Sequence, residues 1–112
     1  HFFGAAAEAM RRILIDRARE RHALRHGGGL VRVDLADIEV TEDRDDRLLL
    51  AVDEALERFA TVAPDKAALV KLRYFAGLSV EQAAASLGIS EATAKRWWIF
   101  ARAWIMRELQ KK

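Results

Sequence analysis

The sequence predicts an all-α protein in which a helix-turn-helix domain follows a linker and one long N-terminal helix. Apolar residues recur at helical spacing over most of the chain, and a capping residue or a glycine stands at each junction. Only residues 30–35 alternate as a strand would, and no second strand pattern exists to pair with them. The 112 residues suffice for one small domain and an appendage, and the 52% hydrophobic content argues against wholesale disorder.

The residue types present narrow the kinds of site that the chain can hold. It contains no cysteine, which excludes disulfides and thiolate metal sites and fits a reducing cytoplasm, where we expect the protein to act. His1, His22 and His26 have no partners at ligand spacing, so neither a metal nor another cofactor is expected. No apolar run approaches the roughly 20 residues of a membrane span, so no membrane partner is expected. The first residues lack a signal-peptide pattern, and the missing initial methionine suggests a piece of a longer protein.

Charge is segregated along the chain, although the net charge is only +2. Residues 1–33 contain seven arginines and three acidic residues. Residues 34–66 contain four basic and eleven acidic residues, and residues 67–112 contain eight basic and three acidic ones. Two basic ends joined by an acidic middle suggest separate electrostatic roles, although an ordinary solvated surface explains the pattern at least as well.

The first part of the chain is predicted to be one amphipathic helix followed by an irregular linker. Residues 5–26 contain no helix breaker before three consecutive glycines. The expected apolar stripe follows Met10, Ile13, Leu14 and Arg17, with Arg11, Arg12 and Arg19 off it. Because such a helix is marginal alone, we expect it to dock on residues 48–112 or on another copy of the chain. Residues 30–47 are highly charged at their end, and we expect them to be mostly irregular and mobile.

Residues 48–112 are predicted to form a four-helix domain without a wing. Apolar residues from Leu48 to Phe59 repeat at helical spacing. Pro64 suits the first turn of the next helix, and Gly77 suits its C-terminal stop.

The most informative stretch is GLSVEQAAASLGISEAT, residues 77–93. Ser79 and Gln82 can form a capping box at the start of a short helix, and Gly88 permits the positive φ of a tight turn. Ser90 then caps a longer helix. The inner face of that helix carries Ala94, Trp98, Ala101 and Ile105. A short helix, a turn with glycine and a longer helix make up the helix-turn-helix arrangement.

The outward positions at the start of the second helix suit DNA. They are Glu91, Ala92, Lys95 and Arg96. A helix fits the major groove, where Lys95 and Arg96 can donate to guanine acceptors or to phosphates. The hydroxyls of Ser90 and Thr93, with the free amides of the helix start, suit a phosphate.

Two runs of the sequence resemble bacterial extracytoplasmic-function (ECF) sigma factors. LVKLRYFAGLSVEQAAASLGISEATAKRWW, residues 69–98, is similar to region 4 of that family. AMRRILIDRARER, residues 9–21, is similar to the last helix of region 2, and Ile15, Asp16 and Arg19 match its ID…R pattern. The resemblance divides the chain into the C-terminal helix of region 2 at residues 1–29, an acidic flexible linker at 30–47 and region 4 at 48–112.

The resemblance implies a subunit that directs RNA polymerase to specific promoters and promotes transcription initiation. Region 4 would grip the upstream (minus thirty-five) promoter element and the polymerase β flap, and region 2 would bind the clamp. An anti-sigma factor would be a further partner. The groove-facing positions of the family fall on Lys95, Arg96, Ile99 and Phe100. Its backbone-contacting positions fall on Arg73, Ser90, Glu91 and Thr93. This chain departs from the family by having Trp97, Ile99 and Phe100 where many members carry basic or polar residues, although an apolar side chain can meet a thymine methyl.

Two other functions stay open from the sequence. A free-standing helix-turn-helix regulator would have no use for the upstream ID…R block. A docking module for an anti-sigma factor would use the apolar excess at Trp97, Ile99, Phe100 and Trp104, although tryptophans are more often packed than functional. An enzyme finds no support, because no Ser/His/Asp set, glycine-rich phosphate loop or paired carboxylates are apparent.

Overall fold

The computed structural model describes residues 2–27 and 36–111, with side-chain environments for residues 2–24 and 46–111. All five elements in these ranges are helices, which confirms the all-α prediction. They are α1 (Phe2–Gly27), α2 (Ala36–Val62), α3 (Pro64–Tyr74), α4 (Val80–Leu87) and α5 (Glu91–Gln110).

The core forms where α5 packs against α2, α3 and α4. Phe59 of α2 is fully buried at its centre, and its ring centroid lies 4.9 Å from that of Trp104 in α5. Several core positions are alanines, and small side chains allow helices to approach closely. The buried alanines of α2 to α5 are Ala55, Ala67, Ala83, Ala84, Ala94 and Ala101.

The beginning of α2 corrects the sequence-based prediction. The helix starts at Ala36, so the expected irregular conformation is wrong for residues 36–47, whereas residues 28–35 lie outside the described residues. Residues 36–62 contain neither glycine nor proline, and glutamate and arginine are good helix formers. A high density of charge therefore did not break the helix.

Helix α1 docks on α2 and α3, as the amphipathic pattern predicted, but with a different face. Leu14 of the predicted stripe is partly buried, whereas Met10 and Ile13 are exposed. The buried positions are Ala7, Ile15 and Ala18. The predicted stripe is thus wrong for Met10, Ile13 and Arg17, which are exposed, because Ile15, two alanines and Arg11 occupy the docked face.

Two buried carboxylates of α2 are held by arginines of α1. Asp53 is 3% exposed and accepts hydrogen bonds from Arg11 Nε at 2.6 Å and Arg11 Nη2 at 3.1 Å. Asp46 is 2% exposed and accepts from Arg21 Nη2 at 2.8 Å and Arg21 Nε at 3.1 Å. The hydrogen bonds to Asp53 raise the pKa of Arg11. A buried carboxylate that loses its partner lowers the stability of the fold by several kcal/mol. These bidentate pairs therefore fix how α1 lies on α2.

The far end of α5 is also tied to α2. Arg58 Nε donates to Glu108 Oε1 at 2.9 Å, and Lys111 Nζ donates to Glu108 Oε2 at 2.9 Å. These hydrogen bonds, from Lys111 first and then from Arg58, lower the pKa of Glu108. The C-terminal turn of α5 is therefore anchored on the helix that carries Phe59.

Replacing Arg11 tests the contribution of the buried pairs. Arg11→Ala should lower the free energy of unfolding by about 3 kcal/mol, because Asp53 would remain buried without its partner. The matched control is Arg12→Ala, which should lower the free energy of unfolding by less than about 1 kcal/mol because the Arg12 side chain is 75% exposed. Urea unfolding of both variants measures the difference, and equal losses would contradict the importance of the Arg11–Asp53 pair.

Candidate nucleic-acid interface

Helix α4 begins with the capping box that the sequence predicted. Ser79 Oγ accepts the backbone N–H of Gln82 at 3.1 Å, and Gln82 Oε1 accepts the backbone N–H of Ser79 at 2.9 Å. Both bonds satisfy amides that the first helical turn leaves without partners. The start of α4 is thus fixed by its own sequence.

A tight turn at Gly88 joins α4 to α5. Gly88 has φ of 71°, in the left-handed region, as its position in the motif predicted. The N–H of Ile89 donates to the carbonyl of Ala84 at 3.0 Å and closes the end of α4. Space beside Gly88 would admit a methyl group, so the positive φ is the reason for glycine here.

The start of α5 carries a small hydroxyl network. Ser90 Oγ accepts the backbone N–H of Thr93 at 3.1 Å and donates to Thr93 Oγ1 at 2.9 Å. Arg96 Nη2 also donates to Thr93 Oγ1, at 3.2 Å. The predicted cap is confirmed, and the network gathers Ser90, Thr93 and Arg96 at the positive end of a helix, which favours anions.

The next outward turn of α5 presents Lys95 and Ile99 beside Arg96. Lys95 Nζ lies 3.7 Å from Glu91 Oε2 in an exposed ion pair. Ile99 is 68% exposed, whereas Ala94 and Ala101 on the opposite side of the helix are fully buried. An exposed pair contributes little free energy, so Lys95 can exchange Glu91 for a phosphate at little cost.

Glu81 of α4 lies near Glu91 and Lys95 at the start of α5. Its pKa is lowered, first by the hydrogen bond from its own backbone N–H, then by hydrogen bonds involving Glu91 and Ser79, and last by the charge of Lys95. The beginnings of the two helices therefore meet at the same edge of the molecule. Lys95 offsets part of the negative charge that the two glutamates place there.

Arg73 reaches α5 from the last turn of α3. Its guanidinium carbon lies 4.4 Å from the centroid of the Trp98 ring, and its Nε donates to the carbonyl of Leu78 at 3.4 Å. The sequence singled out Arg73 but not its contact with Trp98. No local sequence pattern indicates that contact, because the two residues lie far apart in the chain and meet only when α3 packs on α5.

Phe100 lies apart from the other predicted site residues, on the flank of α5 that faces α2 and α3. Its ring centroid is 6.2 Å from that of Phe59. Lys66 Nζ lies 5.4 Å from the Phe100 ring and 5.2 Å from the Trp97 ring. Lys66 was not recognised from the sequence, and its approach to two aromatic rings again depends on tertiary packing.

The family model for ECF sigma factors matches residues 1–111, essentially the whole chain. The chain belongs to the ECF sigma factor family. The resemblance drawn from its two sequence blocks is thereby confirmed. The family gives this sigma factor a role in transcription initiation, with RNA polymerase and promoter DNA as partners, and anti-sigma factors are common partners within the family. ECF sigma factors are transcription factors and not enzymes. No curated protein and no solved structure gives a match.

Two further properties bear on the partners of this sigma factor. Across residues 2–27 and 36–111, no helix has the length and apolar character needed to cross a membrane. The same part of the chain contains no group of three or more metal-ligating side chains.

Ser90 offers a test of the cap at the start of α5. Ser90→Ala should lower the free energy of unfolding by about 1 kcal/mol, because the amide of Thr93 loses its acceptor. Ser90→Asn should lower the free energy of unfolding much less, since asparagine caps a helix about as well as serine. Thermal and urea unfolding of the two variants measure this difference. If asparagine were as damaging as alanine, the role assigned to the cap would be wrong.

Proposed function

We propose that this sigma factor recognises the upstream (minus thirty-five) promoter element through α4 and α5, with the first two turns of α5 in the major groove. The outward face of α5 carries the proposal. Lys95, Arg96 and Ile99 share that face, and the face opposite is buried in the core. The helix can therefore offer these side chains to DNA without disturbing its own packing.

The side chains of this face divide into two roles. Lys95 and Arg96 donate to guanine acceptors or to phosphates, and Ile99 meets a thymine methyl. Ser90 and Thr93 bind a phosphate together with the free amides of the helix start. Phosphate contacts set the register on the duplex, while base contacts supply the sequence preference.

The remaining predicted residues take supporting parts in this proposal. Arg73 contacts a backbone phosphate from the end of α3. Glu91 holds Lys95 until DNA replaces it, which the 3.7 Å separation supports. Phe100 borders the groove-facing surface, because its ring lies towards Phe59 and Lys66.

The same proposal assigns the polymerase contacts by region. Residues 1–29 act as the last helix of region 2 and bind the clamp, and residues 48–112 act as region 4 and bind the β flap. Residues 30–47 connect the two regions. The sequence blocks that resemble the two regions support this assignment.

A second candidate role for the same helix is docking to an anti-sigma factor. Ile99 and Met106 are both exposed on α5, although both are strongly apolar. Together with Trp98 and Ala103 they line one groove on the surface of α5, and a contiguous apolar patch is typical of a protein-interaction site. DNA recognition is preferred because the basic and hydroxyl side chains at the helix start have no part in an apolar docking surface.

Replacing Lys95 and Arg96 tests the proposal. The chain would first enrich its preferred sequence from a randomised duplex library, and binding to that duplex and to a scrambled one would be measured across salt. Lys95→Ala/Arg96→Ala should lower the salt slope by about 2 if each residue neutralises one phosphate. Loss of base contacts should also weaken binding to the enriched duplex by about 1–3 kcal/mol per contact, with less effect on the scrambled one.

The matched control removes two positive charges at the C-terminal end of α5, Arg107 in its last turn and Lys111 at its C-cap. Arg107→Ala/Lys111→Ala should retain the preference for the enriched duplex. Run-off transcription with RNA polymerase core then tests whether the enriched sequence directs initiation from the minus thirty-five position. If the folded Lys95→Ala/Arg96→Ala variant kept the affinity, salt slope and preference of the wild type, α5 would not be the DNA-recognising helix, and docking of a protein partner would take its place.

A further inference from the structure

We infer that Trp98 is a positioning residue for DNA binding, because its indole holds the Arg73 guanidinium ready for a backbone phosphate. The inference rests on the proposed function and deepens it. It assigns to a partly buried tryptophan of α5 a role beyond packing.

The geometry confines Arg73 at two points. The guanidinium carbon stands 4.4 Å from the centroid of the Trp98 ring, within the range of a cation–π contact. Nε donates to the carbonyl of Leu78 at 3.4 Å. A long side chain that is otherwise free to rotate is thus held from the ring side and from the turn that precedes α4.

The two contacts leave the terminal nitrogens of Arg73 available. A guanidinium has five N–H donors, and the Leu78 carbonyl takes only the one on Nε. Among residues 2–24 and 46–111, whose side-chain environments are described, the terminal nitrogens find no hydrogen-bond or ion-pair partner. They form the planar pair of donors that suits phosphate oxygens.

The location of Arg73 agrees with a phosphate contact. Leu78 is adjacent to Ser79, the N-cap of α4. The start of α4 meets the start of α5, where Glu81 interacts with Glu91 and Lys95. Arg73 therefore lies at the end of the helix-turn-helix that carries the proposed DNA-binding side chains. Ordering its side chain before binding reduces the entropy that the complex must lose.

Trp98 also packs against the core, so a purely structural role must be distinguished. A double-mutant cycle makes that distinction with the full chain, the enriched duplex and its scrambled counterpart. The variants are Arg73→Ala, Trp98→Leu and the two combined. Leucine retains apolar packing but cannot stack on a guanidinium. Trp98→Phe retains an aromatic face, and Arg73→Lys retains the charge without the planar group.

Trp98→Leu should weaken binding to both duplexes by about two- to tenfold, the factor that corresponds to ordering one long side chain on binding instead of before it. In the Arg73→Ala background the same substitution should change affinity little, because the group that it positions is gone. Trp98→Phe should restore much of the loss. Arg73→Lys should bind less tightly than the wild type and should be less sensitive to Trp98→Leu, because an ammonium cannot stack a planar group on the indole. Thermal unfolding of each variant records the change in stability separately.

Two outcomes would overturn the inference. Equal losses of affinity with and without Arg73 would mean that Trp98 acts through the fold alone. Unchanged or tighter binding by Trp98→Leu would mean that the stack does not assist binding. The Lys95→Ala/Arg96→Ala variant, measured in the same assay, separates these outcomes from a failure of the proposed function. If that variant loses the preference for the enriched duplex while the effects of Arg73→Ala and Trp98→Leu are additive, the proposed function stands and only the role of Trp98 is wrong.

Discussion

Burial of one side of α5 against α2, α3 and α4 determines which of its side chains reach solvent. Alanines at positions 94 and 101 let the helix sit close to its neighbours, so its rotation about its own axis is restricted. Once that rotation is set, Lys95, Arg96 and Ile99 must point outward. The caps at Ser79 and Ser90 and the left-handed Gly88 then fix where the helix starts relative to α4.

The attachment of α1 follows a different principle from the core. Its apolar contribution is modest, since two of the three positions buried within its residues 2–24 are alanines, and two arginine–aspartate pairs supply the specificity of the contact. Buried ion pairs add little net stability compared with apolar side chains, but they penalise any arrangement that leaves one charge unpaired. A slip of α1 along α2 would separate both carboxylates from their partners. The pairs therefore define the register of the two helices.

The parts of the fold that depend on neighbouring residues could be predicted from the sequence. Caps, the glycine turn and the helical periodicity of residues 48–112 all act over a few residues, and Pro64, Ser79, Gly88 and Ser90 occupy the expected positions. The buried face of α1 could not be predicted in this way. Hydropathy alone places Arg11 in water, and only the presence of Asp53 on another helix makes its burial favourable.

The candidate site also contains residues that a local pattern predicts and contacts that only tertiary packing creates. The residues at the start of α5 were predicted because the motif itself places them on one outward turn. The contacts of Arg73 with Trp98 and of Lys66 with Trp97 and Phe100 join separate helices, so no local pattern encodes them. The start of α2 was misjudged for another reason: charge density was interpreted as irregular structure, although the segment lacks any helix-breaking residue.

The pairing of α1 with α2 also gives the molecule an electrical polarity. Over residues 2–24 and 46–62, where their side chains are described, the two helices together contain seven basic and seven acidic residues, so the arginines of α1 are balanced by acidic residues. Helix α5 contains four basic and two acidic residues and keeps a positive excess. A polyanion approaching from a distance is attracted more strongly to the side of α5 than to the side of α1 and α2, which exerts a torque on the molecule. In the proposed mode of DNA binding, encounters would then begin with the start of α5 already turned towards the duplex, before any short-range contact has formed.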